Sequence, residues 1–268
     1  MTHSAVPSLL GVFGHPDDES LLAGGVLARH AAAHARTAVV TVTWAPESPR
    51  AAELADSLRA LGAGAPRMLG YGDVRNPQAA PGRSRLVDVS PDEVIAALVH
   101  QIRSFRPDIV VTHDALGQLT GHPDHRRTHQ AALLATQDAG LAHLHPEAGA
   151  PWQPRALYCA THPESGVGAL GPLLRSVGKR VLAVPDAYVT TSVDVTPWLD
   201  QKWAAILAHR GEVARERSLP GILARLPEEA RRRIIATEHF TRLTPGPVGL
   251  PSSIGEPRQR HPFLTISC

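Results

Sequence analysis

The stretch Gly11–Ser20, GVFGHPDDES, sets a histidine and three adjacent acids, His15, Asp17, Asp18 and Glu19, directly after an apolar run. A second stretch, Thr120–His129, TGHPDHRRTH, repeats His-Pro-Asp followed by a side chain that can bind a metal, here His122 to His125. Histidine and aspartate three apart across a strand-to-helix turn can converge on a divalent cation. His15 and Asp18 therefore supply two ligands, and one histidine of the second stretch completes a His2Asp set with positions left for water. Zinc held in this way lowers the pKa of its water to about 7 and polarises a carbonyl, the combination that amide hydrolysis needs. Asp17, beside a ligand without being one, is placed to take the water proton as general base. The remaining histidine of the second pair steadies a tetrahedral oxyanion or protonates a leaving amine.

Acids at a helix start also suit exposed backbone N–H groups and the helix dipole. Pro16 keeps His15 out of the helical region and suits the first helical position, which predicts Asp17, Asp18 and Glu19 in the first turn. The second His-Pro-Asp device is what lifts the reading above ordinary capping.

Those side chains meet only if the fold brings two distant turns together. Apolar, β-rich runs alternate with longer segments of helical period, the order of an α/β, Rossmann-like fold: a mostly parallel sheet with helices on both faces. Strands are predicted at Leu9–Gly14, Thr37–Trp44, 67–72, 106–113, 155–161 and Ala187–Val195. Helices follow each of the first four strands, and another is predicted over 196–213. Loops leaving parallel strands share one edge of the sheet, so both devices face one crevice. The Gly- and Pro-rich stretches 162–176 and 244–262 are expected to be irregular loops capping that active-site edge. The chain reads as a single domain over 1–268, with 1–140 the core that carries the metal motifs and 141–268 the C-terminal strands, helix and substrate loops.

Lys plus Arg number 27 against 25 Asp plus Glu, and the basic residues are scattered apart from short clusters such as Arg231–Arg233, so nucleic acid is not an expected partner. No run approaches the about 18 apolar residues of a membrane span, and the N-terminus lacks a leader's basic and long apolar regions. The expectation is a cytoplasmic protein with no membrane partner, self-association being open. Cys159 lies in an apolar run and reads as core, and with Cys268 at the terminus it makes no thiolate site.

The residues resemble the LmbE-like family, the zinc-dependent N-acetylglucosaminyl deacetylases related to the phosphatidylinositol-glycan L protein. The resemblance rests on GHPDDE (Gly14–Glu19), RAAE (Arg50–Glu53), YGD (Tyr71–Asp73), RPDIVVTHD (Arg106–Asp114) and GHPDHR (Gly121–Arg126), in the family's order. Further on, Lys202, Ala205 and His209 are similar to its Lys-x-x-Ala-x-x-x-His helix. The resemblance implies His15, Asp18 and His125 as ligands of one Zn2+ and Asp17 as general base. It implies His122 as support for the oxyanion or leaving group, and Asp124 as the acid that orients a histidine. Arg50, Glu53 and Asp73 are implied to frame the sugar, although Arg50 and Glu53 at i, i+3 suit an ordinary helix ion pair equally well. Fe2+ or Co2+ also fits such a set. The implied activity is deacetylation of an N-acetylglucosamine-type amino sugar, such as GlcNAc-malate or GlcNAc-inositol in bacillithiol or mycothiol biosynthesis.

Two positions depart from the family pattern. Thr120 stands where several relatives have a tyrosine two residues before the second-motif histidine, leaving the oxyanion to the metal and His122, or to Tyr71 or Tyr188. AHRGEV stands where relatives with thiol-precursor substrates continue His-x-Ser-Gln. Alternatives are an amidase acting on a larger thiol conjugate, a non-catalytic sugar-binding module, and a ferrous oxygenase, whose chemistry has no use for Asp17. His113 and Asp114 read as loop hydrogen-bonders, and His209 as either buried or part of the site.

Overall fold

A computed structural model describes residues 6–244. Its elements are β1 (Leu9–Phe13), α1 (Asp18–Ala32), β2 (Thr37–Thr43), α2 (Pro49–Ala60), β3 (Arg67–Tyr71), α3 (Pro91–Phe105), β4 (Ile109–Thr112) and α4 (Pro123–Asp138). They continue with β5 (Ala156–Thr161), α5 (Leu170–Ser176), β6 (Thr191–Asp194), α6 (Leu199–Ala208), α7 (Arg210–Ala214), α8 (Leu219–Ala224), α9 (Glu228–Ile235) and β7 (Thr237–Leu243). The strands form one sheet in the order β3-β2-β1-β4-β5-β7-β6. β1 to β5 run parallel, and β7 lies antiparallel between β5 and β6.

Successive strand side chains point to opposite faces, and here both faces are apolar. Leu9 and Phe13 join Val39 and Val111 under Leu22, Leu27, Leu54, Leu58 and Ile206 of α1, α2 and α6. Leu10 and Val12 join Val40, Val42 and Val110 under Val94, Leu98 and Ile102 of α3 and Ala131 and Ala135 of α4. Each large aliphatic side chain buried in this way stabilises the sheet by about 1.5–3 kcal/mol before entropic costs. No helix among the described residues is long and apolar enough to cross a membrane.

The C-terminal half departs from expectation in four places. β7, TEHFTRL, has little apolar signal because one of its two inward side chains is the carboxylate of Glu238. That group is stabilised by Lys202 Nζ at 2.7 Å and by the N–H groups of Gly25 and Val26 at 2.7 and 2.9 Å, deep against α1. The helix predicted over 196–213 breaks at His209, whose ψ of 63° separates α6 from α7. Half of the stretch 162–176 is helical, because Leu170 and Leu174, four apart, bury one face of α5. β6 is shorter than Ala187–Val195. The stretch 244–262, apart from Thr244, lies outside the described residues, as does Cys268.

Candidate functional site

β1 and β4 are sheet neighbours, paired from Leu9 and Ile109 onward, so the turn after β1 and the start of α4 meet at the C-terminal edge. There His15 Nδ1 lies 2.9 Å from His125 Nε2, and Asp18 Oδ2 lies 3.4 Å from the first and 3.3 Å from the second. Ligand atoms 2.0–2.1 Å from a tetrahedral zinc stand about 3.3 Å apart, so these three atoms fit around one ion. The other nitrogen of His15, Nε2, faces Asp73 Oδ2 at 3.2 Å and Asp124 Oδ2 at 3.3 Å. Two carboxylates on Nε2 fix the ring proton there and leave the Nδ1 lone pair aimed at the centre. Burial depresses the His15 pKa, but hydrogen bonds to Asp124, Asp18 and Asp73 outweigh it and raise the value well above the ordinary one. Asp18 is held well below the carboxylate range: burial pushes it up, and His125 and His113 more than offset this. It stays an anionic donor.

The helix start differs from the sequence prediction. α1 begins at Asp18, and Asp17 stands outside it with φ of 133°. That conformation is strained for any residue with a side chain. Neighbouring carboxylates hold it in place, Asp18 Oδ2 accepting the His15 N–H at 2.8 Å and Glu19 Oε2 accepting the Asp17 N–H at 2.9 Å. Glu19 is itself pinned, its Oε1 accepting from Ser57 Oγ at 2.6 Å and from His209 Nε2 at 2.7 Å. Burial opposes ionisation of both Glu19 and His209, yet each lifts the other past it, lowering the Glu19 pKa and raising that of His209. The result is a buried ion pair. His209→Ala is expected to destabilise the protein by about 3–5 kcal/mol, the usual cost of an unpartnered buried charge. A denaturant midpoint within experimental error of the wild type would show that the pair contributes nothing.

Asp17 itself lies 3.4 Å from Arg50. Burial pushes its pKa up to about 6, with Arg50 pulling the other way, so it is ionised at neutral pH and able to accept a proton. His122 caps α4, its Nδ1 accepting the Asp124 N–H at 3.3 Å. This puts the ring proton on Nε2. Burial, then the His15 and His125 charges, push its pKa down to about 2, so the ring is neutral and a hydrogen-bond donor.

The remaining candidates separate clearly. Arg50 lines the cavity, with its guanidinium 4.7 Å from the Trp44 ring, bonded to the Pro16 carbonyl and 3.2 Å from Glu212. It does not pair with Glu53, which turns away from the cavity and accepts the Gly211 N–H at 2.8 Å. Asp73 lines the cavity, but its Oδ1 is used by the N–H groups of Arg75 and Asn76 at 2.6 and 3.0 Å. His113 accepts the Gly14 N–H at 2.8 Å through Nε2, and burial takes its pKa down to about 3. The lone pair nearest Asp18 is thereby occupied. Asp114 accepts from Gln118 N–H and Thr161 Oγ1. Cys159 is buried, its thiol pushed up to about 12 by that burial. Neither Tyr71, which donates to Glu93 at 3.0 Å, nor Tyr188, 62% exposed, lines the cavity, so neither replaces the tyrosine missing at Thr120.

The cavity holds about 450 Å3, within the range of small-ligand sites, and residues after 160 close much of it, including His162, Leu174, Lys179, Glu212, Arg215 and Leu219. Sequence reasoning missed Glu212 and the bracing role of Glu19. The only available signal was the spacing His209-x-x-Glu212 at the end of a family-like helix.

Residues 10–136 match the family described as PIG-L: GlcNAc-PI de-N-acetylase. A relative from Rhodococcus jostii (strain RHA1), named 1D-myo-inositol 2-acetamido-2-deoxy-alpha-D-glucopyranoside deacetylase, is 36% identical over 267 residues, covering 87% of this chain and 90% of the relative. Among solved structures, the conserved protein TT1542 from Thermus thermophilus has a TM-score of 0.63 at 25% identity, covering 93% of this chain and 100% of that one. The N,N'-diacetylchitobiose deacetylase from Pyrococcus horikoshii has a TM-score of 0.60 at 19% identity, covering 89% of this chain and 84% of that one, a likeness of fold.

Proposed function

The chain belongs to the PIG-L, GlcNAc-PI de-N-acetylase, family, and from that premise we propose that it removes the acetyl group of an N-acetylglucosamine-type amino sugar by metal-dependent hydrolysis. The observation that carries the reading is the convergence of His15 Nδ1, Asp18 Oδ2 and His125 Nε2 beside an ionisable Asp17. A divalent metal held by those three atoms, zinc in this reading with ferrous iron or cobalt as alternatives, supplies Lewis acidity toward the amide carbonyl and acidity to a water molecule.

The chain's own residues carry the rest. Asp17 takes the proton of the attacking water on its carboxylate, with Arg50 beside it keeping that carboxylate charged and in place. His122, neutral and with Nε2–H as a donor, steadies the negative charge that builds on the carbonyl oxygen. Asp124 and Asp73 keep His15 in one tautomer. Collapse breaks the amide C–N bond and releases acetate and a free sugar amine, with Asp17 returning its proton to the departing nitrogen. Arg50 and Asp73 frame the sugar at the cavity wall, whereas Glu53 acts from behind by holding the Gly211 turn. Relatives named for a glucosaminide of inositol support a small, hydrophilic substrate, and we read the enzyme as cytoplasmic.

Metal-loaded protein incubated with a panel of N-acetylglucosaminides should release acetate and primary amine in equal amounts. Cleavage of larger conjugate amides with no acetate from any glucosaminide would replace the deacetylase reading with an amidase.

A further inference from the structure

Two buried groups beside the site take no part in the chemistry proposed above. Glu19 and His209 are both 0% exposed, and neither lines the cavity. They meet at 2.7 Å from positions 190 apart in the chain. A buried ion pair is costly to assemble, and well-packed apolar side chains in its place often leave a protein as stable or more so. Stability alone is therefore a weak reason to keep one here.

The neighbours of the pair supply a stronger reason. Glu19 Oε2 accepts the N–H of Asp17 at 2.9 Å, and Ser20 Oγ donates to the Asp17 carbonyl at 2.8 Å. Side chains of the first turn of α1 thus hold both polar groups of a peptide that stands at φ 133°. Strained backbone of this kind persists only while its surroundings over-determine it. Glu19 can hold Asp17 because its other oxygen is fixed in turn, by Ser57 Oγ at 2.6 Å and by His209 Nε2. Released from Glu19, Asp17 is free to relax toward an ordinary φ, carrying its carboxylate with it.

His209 is linked to Asp17 from a second side. The chain breaks there with ψ of 63° and starts α7, where the Glu212 N–H donates to His209 O at 3.0 Å. The Glu212 carboxylate lies 3.2 Å from Arg50, and Arg50 lies 3.4 Å from the Asp17 carboxylate. One residue of the C-terminal half is therefore tied to the backbone of Asp17 through Glu19 and to its carboxylate through Glu212 and Arg50. We propose that His209 is a positioning residue for Asp17: by fixing Glu19 it keeps the base at the angle from which it takes the proton of water, and it sets kcat without touching substrate or metal. The inference rests on the reading of Asp17 as the base of a deacetylase.

The test compares His209→Gln with His209→Asn in the metal-loaded enzyme, on an N-acetylglucosaminide that the wild type turns over. The two side chains carry the same amide and differ in reach: the longer one sets its nitrogen near the place of Nε2, and the shorter one falls short of Glu19. His209→Asn should lose about 10–100-fold in kcat, the scale of displacing a reacting group by about an ångström, whereas His209→Gln should keep most of it. Metal content should match the wild type in both. Glu19→Leu, which leaves the Asp17 N–H without an acceptor, should lose kcat as His209→Asn does, with KM unchanged. In the Asp17→Asn background no base is left to position, so the gap between the two His209 variants should vanish. Equal kcat in the two variants, or a gap of the same size in the Asp17→Asn background, overturns the positioning role and leaves Asp17 as the base. A wild-type protein that releases acetate from no N-acetylglucosaminide removes the base and the positioning role together.

Discussion

Asp17→Asn is expected to keep its metal and lose about 10²–10⁴-fold in turnover, the usual contribution of an acid–base group. The carboxamide is nearly isosteric, so the packing beside Arg50 survives, and asparagine tolerates positive φ better than most residues. What it lacks is a lone pair basic enough to take the water proton. Metal content by elemental analysis separates this outcome from a collapsed site. The pH profile gives a second check. Burial holds the Asp17 carboxyl at about 6 in the folded protein, so wild-type turnover should fall as pH drops through that region and the base becomes protonated. The residual activity of Asp17→Asn should show no such limb. Wild-type turnover by the variant would remove Asp17 from the mechanism.

His15→Ala and His125→Ala should purify with little metal and correspondingly little activity. Each removes one of three atoms that stand 2.9–3.4 Å apart around a common centre. Losing a residue that merely orients a ligand typically costs 10–100-fold in metal affinity, which gives Asp124→Ala about that loss and the two ligand variants a larger one. Added metal at high concentration should rescue Asp124→Ala before it rescues either histidine variant. Full occupancy in His125→Ala would mean that the centre lies elsewhere among the clustered imidazoles, and the assignment of Asp17 would fall with it.

The first 140 residues are legible because the central strands β1, β2 and β4 are buried almost throughout and read as largely apolar runs, while α2, α3 and α4 each begin on a proline at the expected place. The pairing of two His-Pro-Asp turns follows from the same logic, since parallel strands deliver their loops to one edge. What escapes is everything held by buried polar groups. β7 is invisible because Glu238 occupies an inward position that pattern rules reserve for an apolar side chain. The break at His209 depends on a partner, Glu19, that lies 190 positions away. The Arg50–Glu53 pair suggested by helical spacing does not form, since each finds a stronger partner on α7: Arg50 at Glu212 and Glu53 at the Gly211 N–H. Local spacing proposes such contacts, and tertiary neighbours decide among them. Asp17 shows the same limit in the backbone. No propensity places an aspartate at φ 133°, and it stays there because Glu19 accepts its own N–H and Asp18 accepts that of His15.

The brace from His209 to Glu19 also bears on how the enzyme is born. As the chain emerges from the ribosome, every proposed metal ligand is out once residue 125 has cleared the tunnel, yet the clamp on Asp17 arrives only with residue 209 and the seat of α1 only with Glu238. Assembly of the hydrolytic site is a late event, timed by synthesis of its C-terminal third.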